Sequence, residues 1–414
     1  MLALVRENRN LLLLLQGQFA TNLGNQIFDI AMLLMIKELT GSAALMGLAM
    51  LMTGLPEVLL APFGGKLADR YGRLRMVIAA DFFGAGLVLI VVIALFVEVD
   101  SAILFLILCL VNSGLGFSAA CLNPAISALV PSLVNDKDLE SGNAAHQLSR
   151  IGGQVFGQSL GGMLYVAIGA VGAFLVNALS FLLSAISETR IKVDELDRIW
   201  RDEQISLRAI VRDTFTLTRE VLAKTQMRRL LIYIAIFHLC LSCLPILLPF
   251  FADKVLALPD QWTGFFMAAY TVGVMAGSVL ASHIKPVNGR FILIAKAGLA
   301  VGITMGALSL TRHPVVAGAM LVVIGTGIGL VVVNLITELQ LSCATDERAG
   351  VMGIAQAIGG GSLPLGMALT GVLLDSLVAL GVGYAYSVAS ILAVAGGMAL
   401  VASTSALLGA KEKR

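Results

Sequence analysis

Long apolar runs constrain this chain more than any other feature. Residues 77–97 are broken only by Asp81, and residues 315–336 only by Asn334. An α-helix needs about 20 residues to cross about 30 Å of hydrocarbon. Inside a bilayer only helices and closed barrels satisfy their own backbone hydrogen bonds. The runs predict helices near residues 11–36, 43–63, 76–97, 102–130, 143–167, 170–187, 230–252, 263–284, 291–311, 315–339, 351–375 and 383–408. Composition agrees: 13% of residues are charged and 58% hydrophobic, whereas a soluble domain carries about a quarter charged residues. The expected fold is all-α and membrane-integral, with twelve transmembrane helices in two pseudo-symmetric six-helix bundles. Arg6 and Arg9 precede the first run as in a signal peptide, but the run is long and no small-residue cleavage pattern follows, so a retained first helix is expected.

Charge marks the division. In residues 188–229 the apolar runs stop, and ten Lys or Arg face eight Asp or Glu. The expected organisation is an N-terminal bundle at 1–187, a cytoplasmic linker at 188–229 and a C-terminal bundle at 230–414. Within the linker Leu196, Ile199, Trp200, Leu207, Ile210, Phe215, Val221 and Leu222 recur at near-helical spacing, predicting an amphipathic helix at the membrane surface. With the N-terminus inside, 23 of the 28 Lys and Arg fall in cytoplasmic segments and three in outer loops. That bias predicts a multi-pass protein of the cell membrane with both termini cytoplasmic.

An internal repeat fits two halves. Residues 123–142, from Asn123 through PAISALVPSLVNDKDLESG, are echoed by residues 334–350, from Asn334 through LITELQLSCATDERAG. Parallel repeats of this kind occur in transporters whose substrate site lies between the halves.

Residues 64–75, GGKLADRYGRLR, form the most specific local pattern. Gly65 allows close helix contact and Gly72 a tight turn. Asp69 can accept hydrogen bonds at the positive end of a helix. Arg70, Arg73 and Arg75 supply cations at the inner surface, and Asp81 is the nearest acid in sequence. Such a cluster would hold one conformation closed and open in another. The matching stretch of the second half, residues 277–290, lacks the aspartate.

This pattern resembles the cytoplasmic signature of the major facilitator superfamily. Further stretches resemble its enterobactin and macrolide exporter branch: LGNQIFDIA at 23–31, LTGSAALMGL at 39–48, PAISALVPSLVNDKDLESGNA at 124–144, GGQVFGQSLGGMLYVAIG at 152–169 and FLVNALSFLLSA at 174–185. The resemblance implies a secondary transporter exporting a small amphipathic molecule by alternating access, with proton antiport as the energy source. Two positions depart from the branch: Gln158 stands where proline is common, and the acid common at Asn25 is one turn later, at Asp29.

Polar residues inside the runs give the expected pathway, because a charge buried in lipid is costly and normally faces a cavity. Gln18, Asn22, Asn25, Gln26 and Asp29 share one face of the first helix. Glu57 in the second helix, Asn112, Gln154, Gln158 and Glu338 complete the set. Asp29, Glu57 and Glu338 are candidates to exchange a proton. Asp375 is expected at the outer surface.

Other chemistries lack their residues. The histidines at 146, 238, 283 and 313 are scattered, and Cys240 and Cys243 beside His238 have no further ligands, so neither a metal site nor an embedded enzyme is expected. No phosphate loop follows Gly65-Lys66. The partners expected are a small-molecule substrate, membrane lipid and a proton, with no cofactor and no nucleic acid, and the protein is expected as a monomer. A lipid or lysophospholipid flippase of the same fold would share every feature above.

Overall fold

The computed structural model describes residues 2–135, 138–192, 218–219, 221–284, 289–343 and 348–411. The amphipathic helix expected within 188–229 falls largely on 193–217 and 220, outside the described residues.

The first half is built from α1 (Leu2–Glu7), α2 (Arg9–Thr40), α3 (Ala43–Tyr71), α4 (Arg73–Phe96), α5 (Ser101–Leu133) and α6 (Leu139–Glu188). The second half follows as α7 (Thr225–Leu241), α8 (Cys243–Phe250) with a π-helical turn at Phe251–Val255, α9 (Gln261–His283), α10 (Arg290–Leu308), α11 (Pro314–Leu341), α12 (Arg348–Ala379) and α13 (Tyr384–Lys411). Among the described residues there is no β-strand. Eleven stretches are long and apolar enough to cross a membrane, and one of them, Ser141–Glu188, has 48 residues. At 1.5 Å per residue that is about 72 Å, more than two bilayer cores. It contains two crossings, because Gly169 has φ 69° and ψ 179° and breaks the helix into arms at 139–168 and 170–188. Counted so, the described residues hold twelve helices long and apolar enough to cross a membrane.

Proline sets the other irregularities. Pro245 has no N–H to donate to Leu241, and the helix expected at 230–252 divides there into α7 and α8. Pro124 and Pro131 stand inside α5, where Pro124 leaves the Ala120 carbonyl without its helical partner.

The chain forms two compact units, one of Met1–Gly41 with Leu48–Ile205, the other of Ser42–Gly47 with Ser206–Arg414. In the first, α2 lies along α6, and α4 packs on α5 and on α6. In the second, α9 packs on α11, α10 on α11 and α13, and α7 on α12. Glycine allows the closest approaches. A Cβ on Gly116 of α5 would collide with the Thr53 carbonyl of α3, and one on Gly64 of α3 with the Ala120 carbonyl of α5. The second unit repeats the device: Gly273 and Gly277 of α9 meet carbonyls of Val322 and Thr326, and Gly325 and Gly329 of α11 meet those of Tyr270 and Val274. Apolar side chains such as Leu110, Ile303, Val315 and Val401 stay exposed on the outer faces, as hydrocarbon contact requires.

Candidate functional site

The site is assembled on the polar face of α2. Gly153, Gly157 and Gly161, one turn apart on the first arm of α6, would each press a Cβ against α2, at Phe19, Leu23 and Ile27 in turn. This close packing brings Gln158 within reach: its Nε2 donates to Gln26 Oε1 at 2.8 Å, and Gln26 Nε2 donates to Asp29 Oδ2 at 3.4 Å. Glu57 of α3 lies close enough to Asp29 for the two carboxylates to repel. Asn123 of α5 donates to Glu57 Oε1 at 3.1 Å.

Four helices thus contribute two carboxyls and three amides to one polar face. Asn22, Asn25, Gln26, Asp29, Glu57, Gln154 and Gln158 are all half-buried. Chemically, such a face can donate and accept hydrogen bonds along a path, and its carboxyls are groups able to exchange a proton. Asn22 turns its Nδ2 back to the Gln18 carbonyl at 2.7 Å.

Not every expected pathway residue joins this face. Gln18 is 3% exposed, and its Nε2 donates to Glu188 Oε1 at 3.0 Å, at the far end of the second arm of α6. It sits where that arm covers α2, because Gly17 beside it leaves room for Ser184 and Glu188. Asn112 is 1% exposed; it accepts from Thr53 Oγ1 at 3.0 Å and directs its Nδ2 at Met32 Sδ at 2.9 Å, tying α5 to α3 and α2. Glu338 is half-buried near the inner end of α11, with no hydrogen-bond partner among the described residues.

The 64–75 pattern is not a loop. α3 runs to Tyr71 and α4 starts at Arg73, so Gly72 alone is non-helical, with φ 93° and ψ 130°. That conformation is essentially restricted to glycine. Arg73 Nη1 donates to the Ala128 carbonyl at 2.8 Å and so fastens the start of α4 to α5. Arg70 and Arg75 are exposed. Gly65 and Asp69 lie in α3, and the surroundings of both fall outside the described residues. Asp81 does not pair with these arginines. It is fully buried and faces Thr21, Ser184 and Glu188. It lies eight positions along α4 from Arg73, about two helical turns away.

Sequence reasoning missed three participants. Glu188 was assigned to the linker because it borders the charged segment, although Ser184 and Glu188 share a helix face at i, i+4 spacing. Asn123 was read only as a repeat marker. Asp375, expected at the surface, caps α3 within the second unit: Oδ1 accepts from Ala43 N at 3.0 Å, and Oδ2 from Ala44 N at 3.0 Å and Ser42 Oγ at 2.6 Å. The short Ser42 side chain and Gly41 before it (φ 63°) permit that turn.

The family model described as Major Facilitator Superfamily matches residues 14–367. Among characterised and uncharacterised relatives, the MFS-type transporter YfiS of Bacillus subtilis is 24% identical over 381 residues, covering 90% of this chain and 88% of that protein. Macrolide efflux protein A of Streptococcus pyogenes is 27% identical over 197 residues, covering 44% of this chain and 45% of that protein. In structure, the chain is similar to the nucleoside transporter NupG, with a TM-score of 0.74 at 12% identity, covering 96% of this chain and 99% of that one. It is also similar to a bacterial homologue of the lysosomal transporter Spinster in an inward-facing conformation, with a TM-score of 0.72 at 16% identity, covering 97% and 96%.

Proposed function

The chain belongs to the major facilitator superfamily, a family of transporters, and from that membership we propose that it is a secondary active transporter exporting a small amphipathic molecule. Transport proceeds by alternating access and is driven by proton antiport across the cell membrane, with both termini cytoplasmic. The macrolide efflux relative supports the direction and the substrate class. The distribution of 23 cytoplasmic against three outer cations supports the orientation.

The observation that carries the coupling is the line Gln158, Gln26, Asp29, with Glu57 beside it. Two carboxyls on one polar face inside the helices give a proton a place to bind. A face hydrated first from one side and then from the other would take up that proton and release it across the membrane. Gln26 holds Asp29 in place, and Gln158 holds Gln26. Asn22, Asn25 and Gln154 offer hydrogen bonds to a passing substrate. The cluster of Gly65, Asp69, Arg70, Gly72, Arg73 and Arg75 works as the inner gate.

Transport in proteoliposomes tests the reading, using Asp29→Asn and Glu57→Gln with and without an imposed pH gradient. Neutralising the coupling carboxyl abolishes uphill transport and leaves downhill exchange measurable. If both variants still concentrate substrate against its gradient, the coupling argument fails and a flippase becomes the better reading.

A further inference from the structure

Asp81 of α4 and Glu188 of α6 are both fully buried, and their carboxyls face one another. They lie away from the Asp29 face, under α2. The groups around them come from two helices. From α2, Gln18 Nε2 donates to Glu188 Oε1 at 3.0 Å and Thr21 Oγ1 reaches Asp81 Oδ1 at 3.5 Å. From α6, Ser184 Oγ donates to Glu188 Oε1 at 3.4 Å and also contacts Asp81. Among the described residues no Lys, Arg or His pairs with either acid.

The remaining oxygens carry the argument. Asp81 Oδ2 and Glu188 Oε2 are each buried without a hydrogen-bond donor. Every donor nearby is already directed to the other oxygen of each carboxyl, or shared between the two acids. Two carboxylates in contact, sealed from water and without a cation, cannot both keep their charge. A single hydrogen shared between the two facing carboxyls supplies a donor where the buried oxygens lack one, and leaves one negative charge for Gln18, Thr21 and Ser184 to hold.

We propose that Asp81 and Glu188 form a proton-binding site that clamps the inner ends of α2, α4 and α6 together, separate from the face containing Asp29 and Glu57. The proton comes from water. Binding converts two carboxylates into one acid–carboxylate pair, in which the acid O–H donates to its neighbour. Loss of the proton leaves two adjacent anions that repel, and the end of α6 is freed from α2. The inference stands apart from substrate and direction of transport.

Infrared spectroscopy of the full-length protein in nanodiscs tests it. The wild type at neutral pH is expected to show a protonated-carboxyl C=O band that exchanges slowly in D2O. Asp29→Asn and Glu57→Gln should leave that band in place, which separates this site from the transport reading. Either Asp81→Asn or Glu188→Gln should shift it, and the double variant should remove it. Thermal unfolding gives a second readout. The folded pair holds a proton that the unfolded chain releases above the ordinary carboxyl range, so the wild-type midpoint should fall as pH rises from about 5 through neutral, more steeply than that of the double variant. Both substitutions preserve size, and should the double variant not fold, either single variant still reads the proposal, because each should shift the slowly exchanging band while Asp29→Asn and Glu57→Gln do not. The proposal is overturned if the wild type has no such band, or if the band survives the double variant. It is also overturned if sodium ions raise the wild-type midpoint at alkaline pH but not that of the double variant, because the pair would then hold a cation.

Discussion

The two halves pack by the same device but differ in their buried chemistry. Both bring a helix pair together through glycines set against backbone carbonyls, Gly64 and Gly116 in the first half and Gly273, Gly277, Gly325 and Gly329 in the second. The fully buried polar side chains then diverge. Among the described residues the first half buries the acids Asp81 and Glu188 and the amides of Gln18, Asn112 and Asn177 as well as hydroxyls of Thr21, Ser118, Ser180 and Ser184, whereas the second buries hydroxyls of Ser242, Thr263, Ser309, Thr370, Ser387 and Ser403, one amide, Asn334, and no acid. Asn123 reaches a carboxylate at Glu57, while its repeat partner Asn334 turns to the Leu330 carbonyl of its own helix at 2.9 Å. In the second half the hydroxyl oxygens of Tyr233 and Ser403, both buried, lie 3.2 Å apart. The packing device is shared, and the fully buried acids among the described residues lie in the first half.

The shared device predicts the largest effect. Gly116→Ala and Gly325→Ala each drive a methyl group into a backbone carbonyl, at Thr53 and Tyr270. A flexible side chain could swing away, but a helix backbone has to shift. The cost is about 3 kcal/mol or more, read as loss of monodisperse protein and a lowered unfolding midpoint. Both variants should suffer alike. A large loss from one and none from the other would break the claim that the halves pack equivalently.

The gate proposed for residues 64–75 separates the halves at intermediate size. Asp69→Asn removes an anion from the 64–75 cluster, and residues 277–290 supply no counterpart that could compensate. Transport should fall tenfold or more at normal membrane insertion, about 1.4 kcal/mol at the limiting step. Wild-type rates would reduce the cluster to a positive-inside signal.

Much of this architecture was legible in the sequence, and the failures have physical causes. The helices follow from apolar run length, and the break at Gly169 falls in the gap between the expected helices at 143–167 and 170–187. The 64–75 stretch was read as a loop because its charges interrupt hydropathy, although α3 stays helical to Tyr71. Residues 277–290 looked degenerate, yet Gly289 before Arg290 adopts φ 93° and ψ 146°, close to Gly72 before Arg73; the Gly-Arg pair was the surviving signal. Asp81 was matched to the nearest cations in sequence. Its partners lie 60 residues before it on α2 and at the end of α6, and contacts between helices so distant in the chain leave no mark in local spacing.

The smallest effect is expected at Glu338. It was grouped with Asp29 and Glu57 because all three are acids inside apolar runs, and burial in lipid would be costly for each. The structure separates it from them. Asp29 has Gln26 to hold it and Glu57 to repel it, while Glu338 is half-buried near the end of its helix, without a carboxyl neighbour or a hydrogen-bond donor among the described residues. Glu338→Gln should therefore change stability by no more than about 0.5 kcal/mol and leave uphill transport under a pH gradient intact. Measured beside Asp29→Asn in the same proteoliposomes, it distinguishes chemistry confined to the first half from chemistry spread over both. Loss of uphill transport in Glu338→Gln, with downhill exchange preserved, would place a coupling carboxyl in the second half and end the asymmetry drawn here.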